Sequence, residues 1–361
     1  MVKKDIYGNQ KPKPMDFNIF VQMKQTFISS LSNLLETRQK IVLIPHKNPD
    51  GDALGSTLAL AHFLTDKGHE ATVVSPNDYP AFLEWLPGQK DIVKYTENAL
   101  LAKEKIAQAT VIFTLDFNDL SRIDQLEPLV KKATASLVMI DHHEDPKAYA
   151  ELMYSDKNAS STCEMVFQVL QALDEQGLSP AIANCLYTGI MTDTGSFKYP
   201  ATTAATHRAI AALIEAGAEN TSIHQKIYDT SSFDRLKLLG ITLSSMKKVE
   251  GLPVVYMMLH QATLNACNYR KGDTEGFVNY GLSLEGIQMA VILIENEGEG
   301  KIKMSFRSKG RFSVNEFARK YFNGGGHLNA AGGMSEQSMA LTEATLISAL
   351  QETQNQFDLE A

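Results

Sequence analysis

The sequence predicts an α/β protein. A doubly wound, mostly parallel N-terminal sheet with helices on both faces is joined by a helical linker to a smaller α/β C-terminal domain. In the first half of the chain, short apolar runs rich in β-branched residues alternate with helical patterns, as in sheets built from strand–helix–strand units. After about residue 219 the composition changes and a second set of apolar runs follows. The chain has 361 residues, which is more than one hydrophobic core usually serves.

Apolar runs predict the strands of the first sheet at residues 41–44, 71–75, 110–116 and 136–143. Helical patterns separate these runs, and the clearest cover residues 53–67, 100–107 and 125–132. Further helices are predicted at residues 160–177, 179–197 and 202–218. Alternation of this kind is typical of a parallel sheet covered by helices.

The second half of the chain predicts a helix followed by another sheet. The helix covers residues 234–249, and strands are predicted at residues 252–259, 287–295 and 301–308, with a turn at residues 297–300. We therefore expect a flexible tail at 1–18, a first domain at 19–218, a linker at 219–235, a second domain at 236–350 and a C-terminal tail at 351–361.

The composition excludes several classes of protein. A formal charge of −8 gives no basic field for long duplex nucleic acid. Cys163, Cys185 and Cys267 are widely separated, so the sequence predicts free buried thiols rather than a zinc knuckle or disulfides. No apolar run approaches transmembrane length, and the first residues lack the apolar core of a signal peptide. We expect a cytoplasmic protein with no membrane partner.

Metal-type side chains stand at the ends of three predicted strands. They are His46, Asp50, Asp52, Asp116, Asp141, His142 and His143. Because the carboxyl ends of parallel strands meet at one edge of the sheet, we expect these side chains to form one site. Imidazole and carboxylate ligands together suit a divalent ion such as Mn²⁺.

Two candidate ligands, Asp52 from this group and Asp193 from a later segment, have alternative interpretations. Asp52 stands where a helix begins, so it is also predicted as a helix cap in a polar loop. Asp193, in the segment Asp-Thr-Gly-Ser, is either a helix-end turn residue or a further ligand.

A glycine-rich segment, GGGHLNAAGG (324–333), is the second informative stretch. Glycines such as Gly325 and Gly326 let the backbone approach a ligand and present amide groups to an anion. Arg307, at the end of a predicted strand, is suited to pairing with a phosphate. The alternative is a glycine-rich turn between two helices, with His327 on the surface.

Together these motifs resemble the DHH phosphoesterase family, which is named for the triplet that stands here at residues 141–143. The resemblance covers residues 40 to 335. It rests on HKNPDGDALGS (46–56), TLDFND (114–119), IDHHE (140–144), TDTGSF (192–197) and GGGHLNAAGG (324–333).

The resemblance implies a site for two divalent ions, with Mn²⁺ preferred and Mg²⁺ accepted. The implied ligands of one ion are His46, Asp50 and Asp116. Those of the other are Asp52, Asp116, His142 and Asp193. Asp141 would support the site from behind His142, and His143 would face the scissile phosphate. The implied substrate-binding residues are Arg307, Gly325, Gly326 and His327.

Within the family, the likeness is to short two-domain bacterial enzymes. It implies hydrolysis of single-stranded RNA or DNA only a few nucleotides long, and also of 3′-phosphoadenosine 5′-phosphate. The alternatives are a phosphodiesterase for linear dinucleotides, a pyrophosphatase or exopolyphosphatase, and a catalytically silent nucleotide- or RNA-binding protein. A homodimer is compatible with this resemblance. Tyr79, Trp85 and Tyr199 are candidates for stacking on a base.

Overall fold

A computed structural model describes residues 17–229 and 231–357, with side chains from residue 24 onwards. The chain divides into two compact units, Met1–Asp229 and Thr230–Ala361. The point of division falls within residues 219–235, where the sequence predicts a linker.

The first unit contains a parallel sheet. Its strands are β1 (Lys40–Pro45), β2 (Glu70–Ser75), β3 (Val93–Lys94), β4 (Val111–Leu115), β5 (Ser136–Asp141) and β6 (Leu152–Ser155). They lie in the order β3-β2-β1-β4-β5-β6, and every pairing is parallel. The direction of strand addition reverses between β1 and β4, which is where α/β sheets open a crevice for ligands. The predicted doubly wound fold is confirmed, although β3 and β6 do not appear in the sequence prediction.

Helices cover both faces of this sheet. Those of the first unit are α1 (Phe17–Leu34), α2 (Gly51–Asp66), α3 (Ala99–Gln108), α4 (Glu127–Val130), α5 (Thr162–Leu173), α6 (Pro180–Asp193), α7 (Ala204–Glu215) and α8 (Asn220–Tyr228). Successive residues of a strand point to opposite faces. Accordingly, Ile41 and Leu43 pack into the core under α2, α5 and α6, whereas Val42 and Ile44 pack into the core under α3.

The start of α2 differs from its predicted position. The helix begins at Gly51, and its cap is Asp50, whose side chain accepts hydrogen bonds from the amides of Asp52 and Ala53. The capping role predicted for Asp52 is therefore wrong. Asp52 lies in the first turn, and the cap orients the helix so that Asp52 points into the protein, where it is 1% exposed.

The second unit contains a mixed sheet. Its strands are β7 (Lys247–Lys248), β8 (Val254–Leu259), β9 (Met289–Asn296), β10 (Lys301–Ser308), β11 (Gly325–His327) and β12 (Ala330–Ser335). They lie in the order β11-β12-β10-β9-β8-β7. The helices are α9 (Phe233–Ser244), α10 (Gln261–Ala266), α11 (Phe277–Leu282), α12 (Val314–Tyr321) and α13 (Met339–Glu352). The three strands predicted from the sequence of this unit are present.

The glycine-rich segment is a β-hairpin. Gly325, Gly326 and His327 of β11 pair with Gly332, Ala331 and Ala330 of β12. The alternative of a turn between two helices is therefore wrong. Glycine suits this hairpin because a Cβ on Gly324 would lie 2.0 Å from the Gly332 carbonyl oxygen, so a larger residue would separate the strands.

Most of the predicted N-terminal tail lies outside the described residues, since α1 begins at Phe17. The first half of the predicted C-terminal tail is ordered. Glu352 ends α13, and the buried Phe357 stacks on Phe312 with ring centroids 4.2 Å apart. Residues 358–361 lie outside the described part of the chain.

Cys163, Cys185 and Cys267, all within the described ranges, are buried and form no disulfide, as predicted. Throughout those ranges, the helices are too short or too polar to cross a bilayer.

Candidate metal centre

The carboxyl ends of β1, β4 and β5 bring the candidate ligands together. His46 follows β1, Asp116 follows β4 and His142 follows β5. The three side chains therefore lie on both sides of the crevice between β1 and β4, where the direction of strand addition reverses. Helices supply the remaining side chains, with Asp50 and Asp52 at the start of α2 and Asp193 at the end of α6. All six residues that the resemblance assigns to metal binding meet at this edge of the sheet, and together they form the metal cluster.

The first group of donors is His46, Asp50 and Asp116, whose ligand atoms all lie within 4.8 Å of one another. His46 Nε2 is 3.5 Å from Asp116 Oδ2 and 4.0 Å from Asp50 Oδ2. The other oxygen of Asp50 caps α2, so this carboxylate serves the helix with Oδ1 and the cluster with Oδ2.

The second group is Asp52, His142 and Asp193, again within 4.8 Å of one another. His142 Nε2 lies 3.5 Å from Asp193 Oδ2 and 4.0 Å from Asp52 Oδ2. It also lies 3.5 Å from Asp116 Oδ1.

Asp116 connects the two groups because each of its oxygens faces a different histidine, Oδ2 towards His46 and Oδ1 towards His142. Its backbone has a φ of 67°, in the left-handed region that aspartate tolerates better than most residues. The Thr162 hydroxyl donates to Oδ1 at 2.9 Å and fixes the carboxylate in this bridging orientation.

These donor sets fit divalent cations. Ligand atoms about 2.1 Å from one ion lie roughly 3.0 Å apart when adjacent and 4.2 Å apart when opposite. The gaps of 3.5 and 4.0 Å between histidine nitrogens and carboxylate oxygens fall between these two distances and exceed the roughly 2.7–3.2 Å of ordinary hydrogen bonds. The mixture of imidazole and carboxylate is one that Mn²⁺ and similar ions accept.

Backbone carbonyls orient both cluster histidines. The Nδ1 of His46 lies 2.8 Å from the Lys47 carbonyl oxygen, and the Nδ1 of His142 lies 3.3 Å from that of Ala159. Each ring donates its Nδ1 proton to the main chain and presents Nε2 to the carboxylates. Metal-binding histidines are commonly held this way.

His143 is oriented by a carboxylate instead. Its Nδ1 lies 2.7 Å from Asp141 Oδ1, and Asp141 is fully buried. The resemblance implies that Asp141 stands behind His142, and the structure corrects this, because the carbonyl of Ala159 occupies that position. The reason is geometric: Asp141 ends β5, and side chains two residues apart on an extended chain lie on the same face.

The N-terminus of α5 contributes contacts that the sequence did not predict. The amides of Thr162 and Cys163 donate to the two oxygens of Asp52 at 2.7 and 2.8 Å. A helix N-terminus stabilises a negative charge placed against it. The only signal in the sequence is the Ser/Thr run that starts this helix, which predicts the cap but not the aspartate that it meets.

Crowding of charge dominates the electrostatics of this cluster. Burial raises the pKa of Asp52 well above its usual value, and Asp116 and Asp193 raise it further. Burial likewise raises the pKa of Asp193 to about 7, against the opposing charge of His142. Burial also favours the charge-free form of Asp116, but the surrounding histidines hold its pKa well below the usual range.

The histidines respond in the opposite direction. Burial lowers the pKa of both His46 and His142, but the neighbouring carboxylates outweigh it and raise each to about 9. Without a cation, therefore, protons supply the positive charge that these carboxylates require.

Close packing of α2 on α6 sets the distance between Asp52 and Asp193. A Cβ on Gly189 would lie 2.2 Å from Cys163 Sγ and 2.9 Å from Asp52 Oδ1. A Cβ on Gly51 would lie 2.4 Å from Thr192 Oγ1. Only glycine allows the two helices to approach this closely, and the sequence alone did not indicate a role for either glycine.

The residues assigned to substrate binding lie in the second unit. Arg307 on β10 pairs with Ala330 on β12, which pairs in turn with His327 on β11. Paired residues share a face of the sheet, so Arg307 and His327 flank the small Ala330. The Gly326 amide donates to Asn315 Oδ1 at 3.0 Å, so it binds an anion only if Asn315 moves.

Similarity to known proteins covers both units of the chain. The sequence matches the DHH family, N-terminal domain, over residues 40–190 and the DHHA1 domain over residues 251–356. A relative from Thermus thermophilus, named bifunctional oligoribonuclease and PAP phosphatase NrnA, is 31% identical, over 81% of this chain and 83% of its own. This chain belongs to the DHH family.

Two further relatives extend the comparison. A Bacillus subtilis protein with the same name is 29% identical to this DHH-family chain, over 86% of this chain and 92% of its own. The crystal structure of an exopolyphosphatase-related protein from Bacteroides fragilis superimposes with a TM-score of 0.89 and 38% identity. That similarity covers 92% of this chain and 97% of the other.

Metal binding to this DHH-family site should release protons. With pKa values of about 9 for His46 and His142 and about 7 for Asp193, the ligands carry protons that a cation must displace. Mn²⁺ affinity should rise between pH 6 and pH 9, by up to about tenfold per pH unit for each proton released. Calorimetric titration in two buffers of different ionisation enthalpy measures the number of protons. Affinity independent of pH, with no buffer dependence, would contradict this prediction.

Replacing Gly189 with alanine should weaken both stability and metal binding. The added methyl group forces α6 away from Asp52, which we expect to cost about 1–3 kcal/mol in unfolding free energy. Gly240→Ala is the matched control, because Gly240 lies inside α9 and a Cβ there would have nothing within 4 Å. That change should be neutral or stabilising by up to about 1 kcal/mol. Denaturant unfolding and Mn²⁺ titration check both variants, and equal behaviour would refute the packing argument.

Proposed function

We propose that this protein is a metal-dependent phosphoesterase that hydrolyses short oligonucleotides and 3′-phosphoadenosine 5′-phosphate. The observation that carries the proposal is Asp116, whose two oxygens face two separate groups of histidine and aspartate. A shared carboxylate between two cation sites is the arrangement expected for a two-metal hydrolase. The names of the Thermus and Bacillus relatives support the choice of substrates.

In this proposal, His46, Asp50 and Asp116 would hold one ion. Asp52, Asp116, His142 and Asp193 would hold the second, with Mn²⁺ as the preferred ion. Bound divalent ions supply a water of lowered pKa and neutralise charge on the phosphoryl oxygens.

His143 has a different role from the other two histidines. Its Nδ1 proton is donated to Asp141, so the neutral ring has its acceptor nitrogen at Nε2. The Asp141 carboxylate fixes the orientation of this ring, as carboxylates do for acid–base histidines. We assign His143 to contact with the scissile phosphate and to proton transfer there, with Asp141 as its positioning residue.

The second unit contributes phosphate recognition. The guanidinium of Arg307 suits bidentate pairing with a phosphate, and His327 lies two strands away on the same face. We propose that this face, with the backbone at Gly325 and Gly326, binds the terminal phosphate or nucleotide of the substrate.

The first test is a substrate panel with Mn²⁺. It contains a dinucleotide, a five-nucleotide RNA, a twenty-nucleotide RNA, 3′-phosphoadenosine 5′-phosphate and pyrophosphate. We expect turnover of the short RNAs and the bisphosphate. In Asp116→Asn it should fall by more than about 100-fold, because loss of even an outer-shell partner costs roughly 10–100-fold.

Asp124→Asn is the control for this panel, since Asp124 pairs with Lys47 and belongs to neither ligand group. Turnover of pyrophosphate alone would identify a pyrophosphatase. Nucleotide binding without any turnover would leave a binding protein and overturn the proposal.

His143→Ala should reduce kcat by about 100- to 10,000-fold without loss of bound metal. Asp141→Asn should reduce kcat less and shift the pH dependence of the reaction, because it keeps a hydrogen-bond acceptor but removes the charge beside His143. Two measurements distinguish these effects: the amount of metal that each variant retains after loading, and the dependence of its rate on pH. Loss of metal in either variant would instead show that the pair holds the metal site together.

Arg307→Ala should raise KM for a dinucleotide by about tenfold or more while leaving metal content unchanged, because a charged hydrogen bond contributes roughly 1.5–3 kcal/mol. Lys320→Ala is the control, since Lys320 is exposed and pairs with Glu352 on another helix. A fall in metal content, or an unchanged KM, would rule out the assignment of Arg307 to substrate binding.

A further inference from the structure

The turn that follows Asp193 has an unusual backbone. Gly195, Ser196 and Phe197 have φ values of 56°, 61° and 68°, so three consecutive residues lie in the left-handed region. Non-glycine residues rarely adopt this conformation in succession, because Cβ then crowds the following carbonyl oxygen. Strain of this kind persists where the surrounding structure holds it, and it is frequent at ligand-binding sites.

Packing and hydrogen bonds hold this turn in place. Phe197 lies edge-on to Tyr187, with ring centroids 6.2 Å apart, and 5.6 Å from the ring of His207. The Ser196 amide donates to the Met191 carbonyl at 2.8 Å. The turn is therefore built into the first unit rather than being a loose connection.

The consequence of the turn is the position of Tyr199. The Tyr199 amide donates back to the Thr194 carbonyl at 3.1 Å, so the chain reverses after the ligand Asp193. The Tyr199 ring then covers Gly195, where a Cβ would lie 2.5 Å from the ring carbon that bears the hydroxyl. Two residues of chain span at most about 7 Å, so Tyr199 packs on the turn that directly follows the candidate ligand Asp193.

Aromatic surface continues outwards from this point. Tyr199 is 39% exposed and Tyr228, at the end of α8, is 47% exposed. Burial raises the pKa of the Tyr228 phenol, and the Tyr199 phenol raises it further. The Lys198 ammonium lies 5.9 Å from the centre of the Tyr199 ring and gives this surface a positive charge.

We propose that Tyr199 is a stacking platform for the nucleobase attached to the phosphate that the metal cluster binds. This rests on the proposed function and adds a determinant of specificity within the first unit. Stacking on an aromatic ring accepts every base, so the platform selects nucleotides over simple phosphate esters without selecting a sequence.

The other aromatic candidates are already covered. Tyr79 is 7% exposed and bonds to Gln89, and Trp85 packs against the hydrophobic core of the first unit. Of the three aromatic residues considered from the sequence, Tyr199 combines an exposed ring with a position on the turn that follows Asp193.

The test compares Tyr199→Ala with Tyr199→Phe, which keeps the ring. A dinucleotide and the same dinucleotide with its first base replaced by hydrogen are used as substrates, and AMP and ribose 5-phosphate as ligands in calorimetry. Tyr199→Ala should raise KM for the dinucleotide and Kd for AMP by about tenfold. It should leave KM for the dinucleotide without its first base, and Kd for ribose 5-phosphate, unchanged. Tyr199→Phe should behave like the unmodified protein. Tyr280→Ala, which removes a comparably exposed ring from α11, is the control.

Equal effects of Tyr199→Ala on the base-containing and base-free compounds would overturn the stacking proposal and leave the hydrolytic function intact. If the unmodified protein hydrolyses neither dinucleotide, the proposed function fails instead. The stacking proposal then stands only if AMP still binds more tightly than ribose 5-phosphate and Tyr199→Ala removes that preference.

Discussion

Repulsion between buried carboxylates is the constraint on which this site depends. Asp52 and Asp116 are buried where water cannot screen them, and the half-buried Asp193 and the exposed Asp50 converge on them. Each unpaired negative charge in buried surroundings is costly. The fold holds these side chains together from outside the cluster. Amides at the start of α5 bind Asp52, amides at the start of α2 bind Asp50, and the close contact at Gly189 fixes α6 against α2. What remains unbalanced inside is negative charge, which a cation neutralises.

The three histidines illustrate how the main chain assigns different chemistry to one residue type. His46 and His142 donate to carbonyl groups, which fix the rings without adding charge and leave Nε2 for a cation. His143 donates instead to the buried carboxylate of Asp141, which fixes the ring with a charged acceptor. The adjacent residues His142 and His143 therefore differ because His142 donates to the Ala159 carbonyl, whereas His143 donates to the Asp141 carboxylate.

The sequence was sufficient to predict features that depend on local pattern. Apolar runs located β1, β2, β4 and β5, and the polar residues that end three of them located the cluster, because parallel strands must align their carboxyl ends. Features that depend on long-range contact were not predictable. The two-residue strand β3 has too little pattern to detect, and the partner of Asp141 is decided by how the chain leaves β5. The approach of α5 to Asp52 joins residues more than a hundred positions apart.

The contact between Asp52 and α5 also reverses a familiar rule of helix composition. Thr162 is the first residue of α5, a position at which proline is usually favoured because its missing N–H would have no partner within the helix. Here that N–H does have a partner, the buried oxygen of Asp52. Proline at 162 would preserve the helix and still leave a carboxylate oxygen without its donor. At this position the main chain serves Asp52 while the Thr162 hydroxyl holds Asp116, so a substitution that looks ideal for the helix would damage the candidate metal centre.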